Sequence, residues 1–267
     1  MKIAIYQGQG RPLQIAENLE IIRSAALAAA KQGARLIIFP EMFLTGYNIG
    51  DAVFDLAEPS DGHGAQTAAA IAQEANIALL YGYPEKCDAG VYNSAILIDR
   101  HATVLANYRK THLFGPEENR LFQAGRSLIL TRLEGLTIGI LICYDVEFPE
   151  AVRTLTNAGA QLIAVPTALM KPYCMIAETV VPARAYESQV FVAYVNRIGT
   201  ERNMTYCGLS SVAGPDGHTI LRKGPGEEGV FFANIETLAI TAVRKENPVL
   251  ADRRPELYAA PVKGASV

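Results

Sequence analysis

Short apolar runs rich in Val, Ile and Leu alternate with amphipathic stretches along almost the whole chain, and several of the runs stop at Gly or Pro. Such runs read as buried strands, and stretches with apolar residues three and four apart read as helices laid over them. Lys2–Tyr6 is expected as a strand and Ile15–Gln32, which ends at Gly33, as a helix. Leu36–Phe39 is a buried strand stopped by Pro40. Gln66–Glu74 reads as a helix and Ala78–Tyr83 as the strand after it. Tyr92–Ile98 and Thr103–Tyr108 flank Asp99-Arg100-His101-Ala102 as a hairpin.

The alternation continues through strand Thr137–Cys143, helix Glu150–Ala158, strand Leu162–Pro166, helix Pro182–Gln189 and strand Phe191–Asn196. Ser210–Ala213 and Thr219–Arg222 enclose Pro215-Asp216-Gly217, where Pro presets φ and Gly accepts a positive one. Gly229–Ile235 is the last expected strand. The pattern predicts an α/β fold of two mixed sheets packed face to face with helices outside. No linker or internal repeat divides the chain, so 1–267 reads as a single domain, with the Pro- and charge-rich segment 244–267 as an extended tail.

Charge excludes several function classes. The 24 Lys and Arg nearly balance the 27 Asp and Glu, with no long run of either sign. That leaves no electrostatic footprint for nucleic acid or an anionic membrane, and it favours a small, nearly neutral substrate. No stretch is long and apolar enough for a transmembrane helix, and the N-terminus lacks a signal-peptide pattern, so a cytoplasmic protein is expected. Cys87, Cys143, Cys174 and Cys207 lie far apart without a CxxC pair and are expected as reduced thiols, with all but Cys143 filling the core. The histidines do not pair at ligand spacing, and neither GxGxxG nor GxxxxGK[ST] occurs, so no metal and no cofactor are expected.

Three apolar strands end in a reactive or charged side chain: Glu41 after Phe39-Pro40, Lys110 after Tyr108-Arg109, and Cys143 after Leu141-Ile142. Ligands of α/β sheets bind at strand ends, so residues distant in sequence can converge there. Amide hydrolysis needs a nucleophile, an acid/base and a positive group facing the developing oxyanion. Cys143 supplies sulfur. Glu41, beside Phe39-Pro40 and Met42-Phe43, is dry enough to have a raised pKa and act in both directions. Lys110 supplies the cation, joined by the backbone N–H of Tyr144 if the chain turns sharply.

The blocks Phe39-Pro40-Glu41-Met42-Phe43, Tyr108-Arg109-Lys110-Thr111-His112 and Cys143-Tyr144-Asp145-Val146-Glu147-Phe148-Pro149-Glu150 resemble the signature blocks of the nitrilase superfamily of carbon–nitrogen hydrolases. Tyr92-Asn93-Ser94, Pro166-Thr167, Asn196-Arg197 and Arg253-Arg254-Pro255 match in the family's order across nearly the whole chain. The resemblance implies a four-layer αββα sandwich, a Glu-Lys-Cys triad, a thioester intermediate and a homodimer or higher homo-oligomer. It also implies a second glutamate, matched by Glu118 with Glu117 as the fallback, that orients Lys110. His112 invites a Cys–His dyad, but the pattern gives it a place holding the loop. Glu150 and Arg153 are expected to pair within a helix or with neighbouring loops.

Nitrilases of the superfamily show Cys-Trp-Glu, whereas this chain has Cys-Tyr-Asp and no tryptophan, which favours an amidase. Met42–Gly50 and Tyr81–Glu85 are similar to bacterial ω-amino and aliphatic amidases of the 5-aminopentanamidase kind. A short linear amide and water are then the expected partners, met by Tyr47, Glu147, Ala168 and Asn196. An ω-amidase would instead need a cationic pocket, for which Arg197 and Arg202 are candidates. An N-carbamoyl-amine amidohydrolase and a catalytically idle assembly module are further alternatives.

Overall fold

Leu36, Ile37 and Ile38 are apolar without alternation because their strand has parallel neighbours on both edges and cores on both faces. In the computed structural model, which describes residues 1–258, β1 (Lys2–Gln7), β2 (Leu36–Ile38), β3 (Ala78–Cys87), β4 (Gly90–Ile98) and β5 (Val104–Arg109) follow in sequence and in space. A second sheet contains β6 (Leu130–Leu133), β7 (Leu136–Ile140), β8 (Leu162–Pro166) and β9 (Phe191–Val195). After a small hairpin of β10 (Thr200–Glu201) and β11 (Met204–Thr205), β12 (Ser211–Ala213) and β13 (Thr219–Arg222) extend the second sheet. The strand β14 (Gly229–Asn234) returns to pair antiparallel with β1. Each large sheet has six strands, in the orders β14-β1-β2-β3-β4-β5 and β13-β12-β9-β8-β7-β6.

The two-residue period of the strands assigns their side chains to two cores. Ile3, Ile5, Leu36, Ile38 and Leu80 point inward and join Ile138, Ile140, Leu162 and Ala164 of the second sheet. Ala4, Ile37, Leu79 and Ile96 point outward and meet Leu19 and Ile22 of helix α1 (Ile15–Lys31). They also meet Ile71 of α3 (His63–Ala75), the short α2 (Ala52–Leu56) having intervened. A short α4 (Gly115–Leu121) precedes β6, and α5 (Pro149–Asn157) and α6 (Val181–Ser188) cover the outer face of the second sheet. The expected four-layer αββα sandwich is the architecture observed.

Four details differ from the sequence reading. The strand expected to run to Cys143 ends at Ile140, and Cys143–Glu147 forms a 3-10 turn. Arg244–Glu246, assigned to the extended tail, are the last residues of helix α7 (Thr237–Glu246); α8 (Pro255–Tyr258) follows, and the rest of the expected tail, 259–267, lies outside the described residues. Cys174 and Cys207 are not reduced thiols but a disulfide, which leaves Cys87 and Cys143 free. The Glu150–Arg153 pair does not form: among the described residues Glu150 makes no ion pair, and Arg153 Nη1 is buried without a partner.

Candidate active site

The three strand ends converge where the two sheets meet. Phe39 N–H donates to Leu80 O at 2.8 Å, and Glu41 N–H donates to Thr167 O of the second sheet at 3.3 Å. Gly82 makes this approach possible, since a Cβ there would lie 2.3 Å from Met42 N. Lys110 N–H donates to Asn93 O at 2.8 Å, and Lys110 O accepts from Gly125 N–H at 2.7 Å. Cys143 has φ +46°, a left-handed conformation costly for a side chain with Cβ. Asp145 holds it there: its Oδ2 accepts from Ile142 N–H at 3.0 Å, while its own N–H donates to Ile142 O at 3.0 Å.

Lys110 Nζ lies 2.8 Å from Glu41 Oε1 and 2.6 Å from Glu118 Oε1. Asn93 Nδ2 donates to the same Glu41 oxygen at 2.7 Å, and Glu41 Oε2 is buried with no hydrogen-bond partner among the described residues. Glu118 accepts from Tyr47 OH and Phe114 N–H, each at 2.7 Å. Glu41, Lys110 and Glu118 are 0, 1 and 3 % exposed, and Cys143 9 %, so charges interact here with little solvent screening.

Burial pushes the Glu41 carboxyl above its usual range; Lys110 opposes this and Glu118 reinforces it. Burial also disfavours the Lys110 charge, but Glu118 and Glu41 outweigh it and keep the ammonium protonated. Burial, then the Glu41 charge, raises the Cys143 thiol well above its ordinary value, against the pull of Lys110 and the Ala168 backbone N–H. The cluster thus sets a thiol beside an ammonium and a Glu41 carboxyl oxygen that has no hydrogen-bond partner among the described residues. That is an arrangement for general-base activation of sulfur.

Of the other expected site residues, Tyr47 is placed behind the cluster by its bond to Glu118. Tyr144 occupies the first turn of the 3-10 segment, where backbone N–H groups lack intrahelical partners. Glu147 closes that turn, half-buried. Glu117 is exposed and pairs with Arg120 at 2.7 Å, so Glu118 is the second glutamate of the cluster.

Asn196 is a correction. Its amide donates to Leu169 O (3.2 Å) and Gly208 O (2.6 Å) and accepts from Leu169 N–H (2.8 Å), which makes it a loop tie. Arg197 is no pocket cation either. It is fully buried, donating to Glu41 O and Met42 O at 3.3 Å, to Gln9 O at 2.8 Å and to Glu201.

Sequence reasoning passed over Asp145 as a functional support. Besides Ile142 N–H it accepts from Tyr108 OH (2.8 Å), Thr111 Oγ1 (2.8 Å) and His112 N–H (2.9 Å), and its Oδ1 lies 2.8 Å from His112 Nδ1. The His112 ring stacks on Phe148 at 3.9 Å, so it braces the loop and forms no dyad with Cys143. Asp145 carried a signal in its place two residues after Cys143, but its partners on the Lys110 strand were not readable. Among the described residues no cluster of three or more His, Cys, Asp or Glu suits a metal ion, and no helix is long and apolar enough to cross a membrane.

The sequence profile of the carbon–nitrogen hydrolase family matches residues 2–245. The chain belongs to the carbon–nitrogen hydrolase family. This hydrolase is 48 % identical over 261 residues to a Pseudomonas protegens protein described as a hydrolase in the pqqF 5′ region, covering 97 % of this chain and 90 % of that one. It is 32 % identical over 255 residues to an (R)-stereoselective amidase of a Pseudomonas species, covering 95 % and 92 %. An amidase from Nesterenkonia sp. AN1 superposes with a TM-score of 0.84 at 34 % identity, covering 97 % of this hydrolase and 95 % of that chain. That structure is of a glutamate-to-glutamine variant with the acetamide moiety of fluoroacetamide added covalently at its active-site cysteine. The hydrolase described here is a cysteine-dependent amidase of the nitrilase superfamily type.

Proposed function

We propose that this amidase hydrolyses a small linear aliphatic carboxamide to the carboxylate and ammonia, with Cys143 as nucleophile and Glu41 as general base and acid. The observation that carries the proposal is the state of Glu41. One oxygen is fixed by Lys110 and Asn93, and the other is buried and unpartnered within reach of the field at Cys143. Glu41 Oε2 takes the thiol proton as sulfur attacks the amide carbon. The resulting oxyanion is met by the Lys110 ammonium and the Tyr144 N–H. Glu41 returns the proton to nitrogen, the C–N bond breaks, and ammonia leaves a thioester on Cys143. Water, deprotonated by Glu41, attacks the thioester; the C–S bond breaks, Glu41 returns the proton to the Cys143 sulfur, and the carboxylate leaves. Glu118 is a positioning residue that acts through Lys110, and Ala168 offers its backbone N–H to the sulfur.

The burial of Arg197 against Glu201 weighs against an ω-amidase that grips an anionic substrate. A cytoplasmic location and a homodimer or higher homo-oligomer complete the proposal.

Ammonia release across linear aliphatic amides, ω-carboxy amides, N-carbamoyl amines and nitriles tests it, with Cys143→Ala as the inactive control. Intact-mass analysis during slow turnover is expected to show an acyl adduct on the wild type alone. Nitriles outpacing every amide, or full activity in Glu41→Gln, would reject it.

A further inference from the structure

The bonds of Asp145 run to Tyr108, Thr111, His112 and Ile142, so they set Lys110 and Cys143 and leave the two glutamates to other contacts. Glu41 and Tyr47 stand near the two ends of the loop that follows β2, and the Tyr47 hydroxyl holds Glu118 at 2.7 Å. This loop is a run of turns, and Met42 within it has φ +50°, a left-handed conformation costly for a residue with a Cβ.

One buried ion pair holds both ends. Arg197 Nη1 donates to the backbone carbonyls of Glu41 and Met42, each at 3.3 Å. Its Nη2 donates to Gln9 O at 2.8 Å and to Glu201 Oε1. The other oxygen, Glu201 Oε2, accepts from Tyr47 N–H at 3.0 Å, Asn48 N–H at 2.8 Å and Tyr206 OH at 2.6 Å. Asn48 Nδ2 adds a bond to the Glu201 backbone O at 3.0 Å. Arg197 and Glu201 are both buried, so these charge-assisted bonds are strong and little screened.

The bonds close a circuit. From Arg197 it runs through Glu201 to Tyr47 N–H, and from Tyr47 OH to Glu118 Oε1. From there it passes to Lys110 Nζ at 2.6 Å, to Glu41 Oε1 at 2.8 Å, and back through Glu41 O to Arg197. Both carboxylates beside the ammonium are thus referred to one ion pair, Glu41 by its own backbone and Glu118 by way of Tyr47. A buried ion pair often stabilises no more than a well-packed apolar pair of the same volume. What this one supplies is direction, since the guanidinium fork and the carboxylate each reach two segments at once.

We infer that Glu201, paired with Arg197, is a positioning residue for the reaction, which sets Glu41 and Glu118 about Lys110 without touching the substrate. The inference rests on the general-base role proposed above for Glu41 and goes beyond it. A small displacement of either carboxylate misplaces the proton acceptor at Cys143, which lowers kcat and leaves substrate binding nearly alone.

The test measures kcat and KM by ammonia release from the linear aliphatic amide that the wild type turns over fastest, per folded enzyme as given by urea unfolding. Glu201→Gln cannot accept on both sides and is expected to lower kcat at least about tenfold, with KM within about twofold. Tyr47→Phe cuts the circuit at Glu118 and should lower kcat about tenfold. In the double variant the loss is expected to fall well short of the product of the single losses, because both open one circuit. Tyr206→Phe takes a bond from the same Glu201 oxygen but lies off the circuit, and kcat should stay within about twofold of the wild type. Arg197→Lys keeps the charge but not the fork that reaches Glu201 and Glu41 O together, so it should lower kcat, and it serves in place of Glu201→Gln if that variant does not fold. An unchanged kcat in the folded variant, single losses that simply multiply, or an equal loss in Tyr206→Phe overturns the inference. Full activity in Glu41→Gln, or no turnover of any amide by the wild type, rejects instead the proposed function and this inference with it.

Discussion

Tyr108 donates its hydroxyl to Asp145 Oδ2 over 2.8 Å, and this bond ties the strand that delivers Lys110 to the turn that presents Cys143. Two elements from different sheets are thereby held in one register. Asp145 Oδ2 also accepts from Ile142 N–H, so the bond supports the left-handed backbone at Cys143 as well. In Asp145→Asn an amide N–H must face some of these donors, and the variant is expected to lose about 1–3 kcal/mol in urea unfolding. Tyr108→Phe keeps the Ile142 contact and is expected to lose about 1 kcal/mol. Both should lower kcat more than they raise KM; unchanged kcat in Asp145→Asn would show that the tie does not position Cys143.

Glu118 shares Lys110 with Glu41 and is itself set by Tyr47 and Phe114. Glu118→Gln weakens the hold on the ammonium and is expected to reduce kcat about a hundredfold, the scale of a small misplacement of a reacting group. KM should move little. Glu117→Gln, on the exposed side of the same helix, should match the wild type, and equal losses in the two would contradict the assignment.

Activity should follow the Glu41 carboxylate. Its ionised form is the active one, so kcat/KM rises with pH through a midpoint that burial places above the ordinary carboxylate value. A midpoint at or below that ordinary value would mean that Lys110 dominates the site. Cys143 should remain a thiol at neutral pH, with iodoacetamide alkylation slow there and accelerating into the alkaline range.

Arg197 and Glu201 form a buried pair beneath the Glu41 loop. Arg197→Met strands the Glu201 charge and is expected to cost about 3–5 kcal/mol of stability by urea unfolding. If Arg197 were instead a substrate handle, the variant would change the preference among charged amides at near-normal stability.

Thiol titration of the denatured, unreduced protein is expected to find Cys87 and Cys143 only, and all four cysteines after reduction. The Cys174–Cys207 bridge spans 33 residues, and breaking it should destabilise the fold by about 3–4 kcal/mol. Four thiols before reduction would show the bridge to be absent.

Local pattern carried much of the fold. Leu162–Pro166 and Thr219–Arg222 are strands with the bounds read from the sequence, because each apolar or β-branched run is framed by a turn. Helix α4 was not legible. Its sequence Gly-Pro-Glu-Glu-Asn-Arg-Leu has almost no apolar period, and it owes its place to Pro at the first turn and to Glu118 buried against Lys110. The edge strand β6 was missed for a related reason, since its Arg132 is exposed and its pairing with β7 supplies the order.

The sequence by itself determined which residue types stand at the ends of which strands, and so named Glu41, Lys110 and Cys143. Strand ends are set by local period and by breakers such as Pro40. Only the tertiary structure decided what those residues touch. Glu117 and Glu118 are indistinguishable in composition, but successive helical residues point about 100° apart, so one reaches Lys110 and the other reaches solvent. Asn196 became a loop tie and Cys174 met Cys207, because each outcome depends on packing between segments remote along the chain. Such pairings are fixed by the shape of the filled core, which no local spacing encodes.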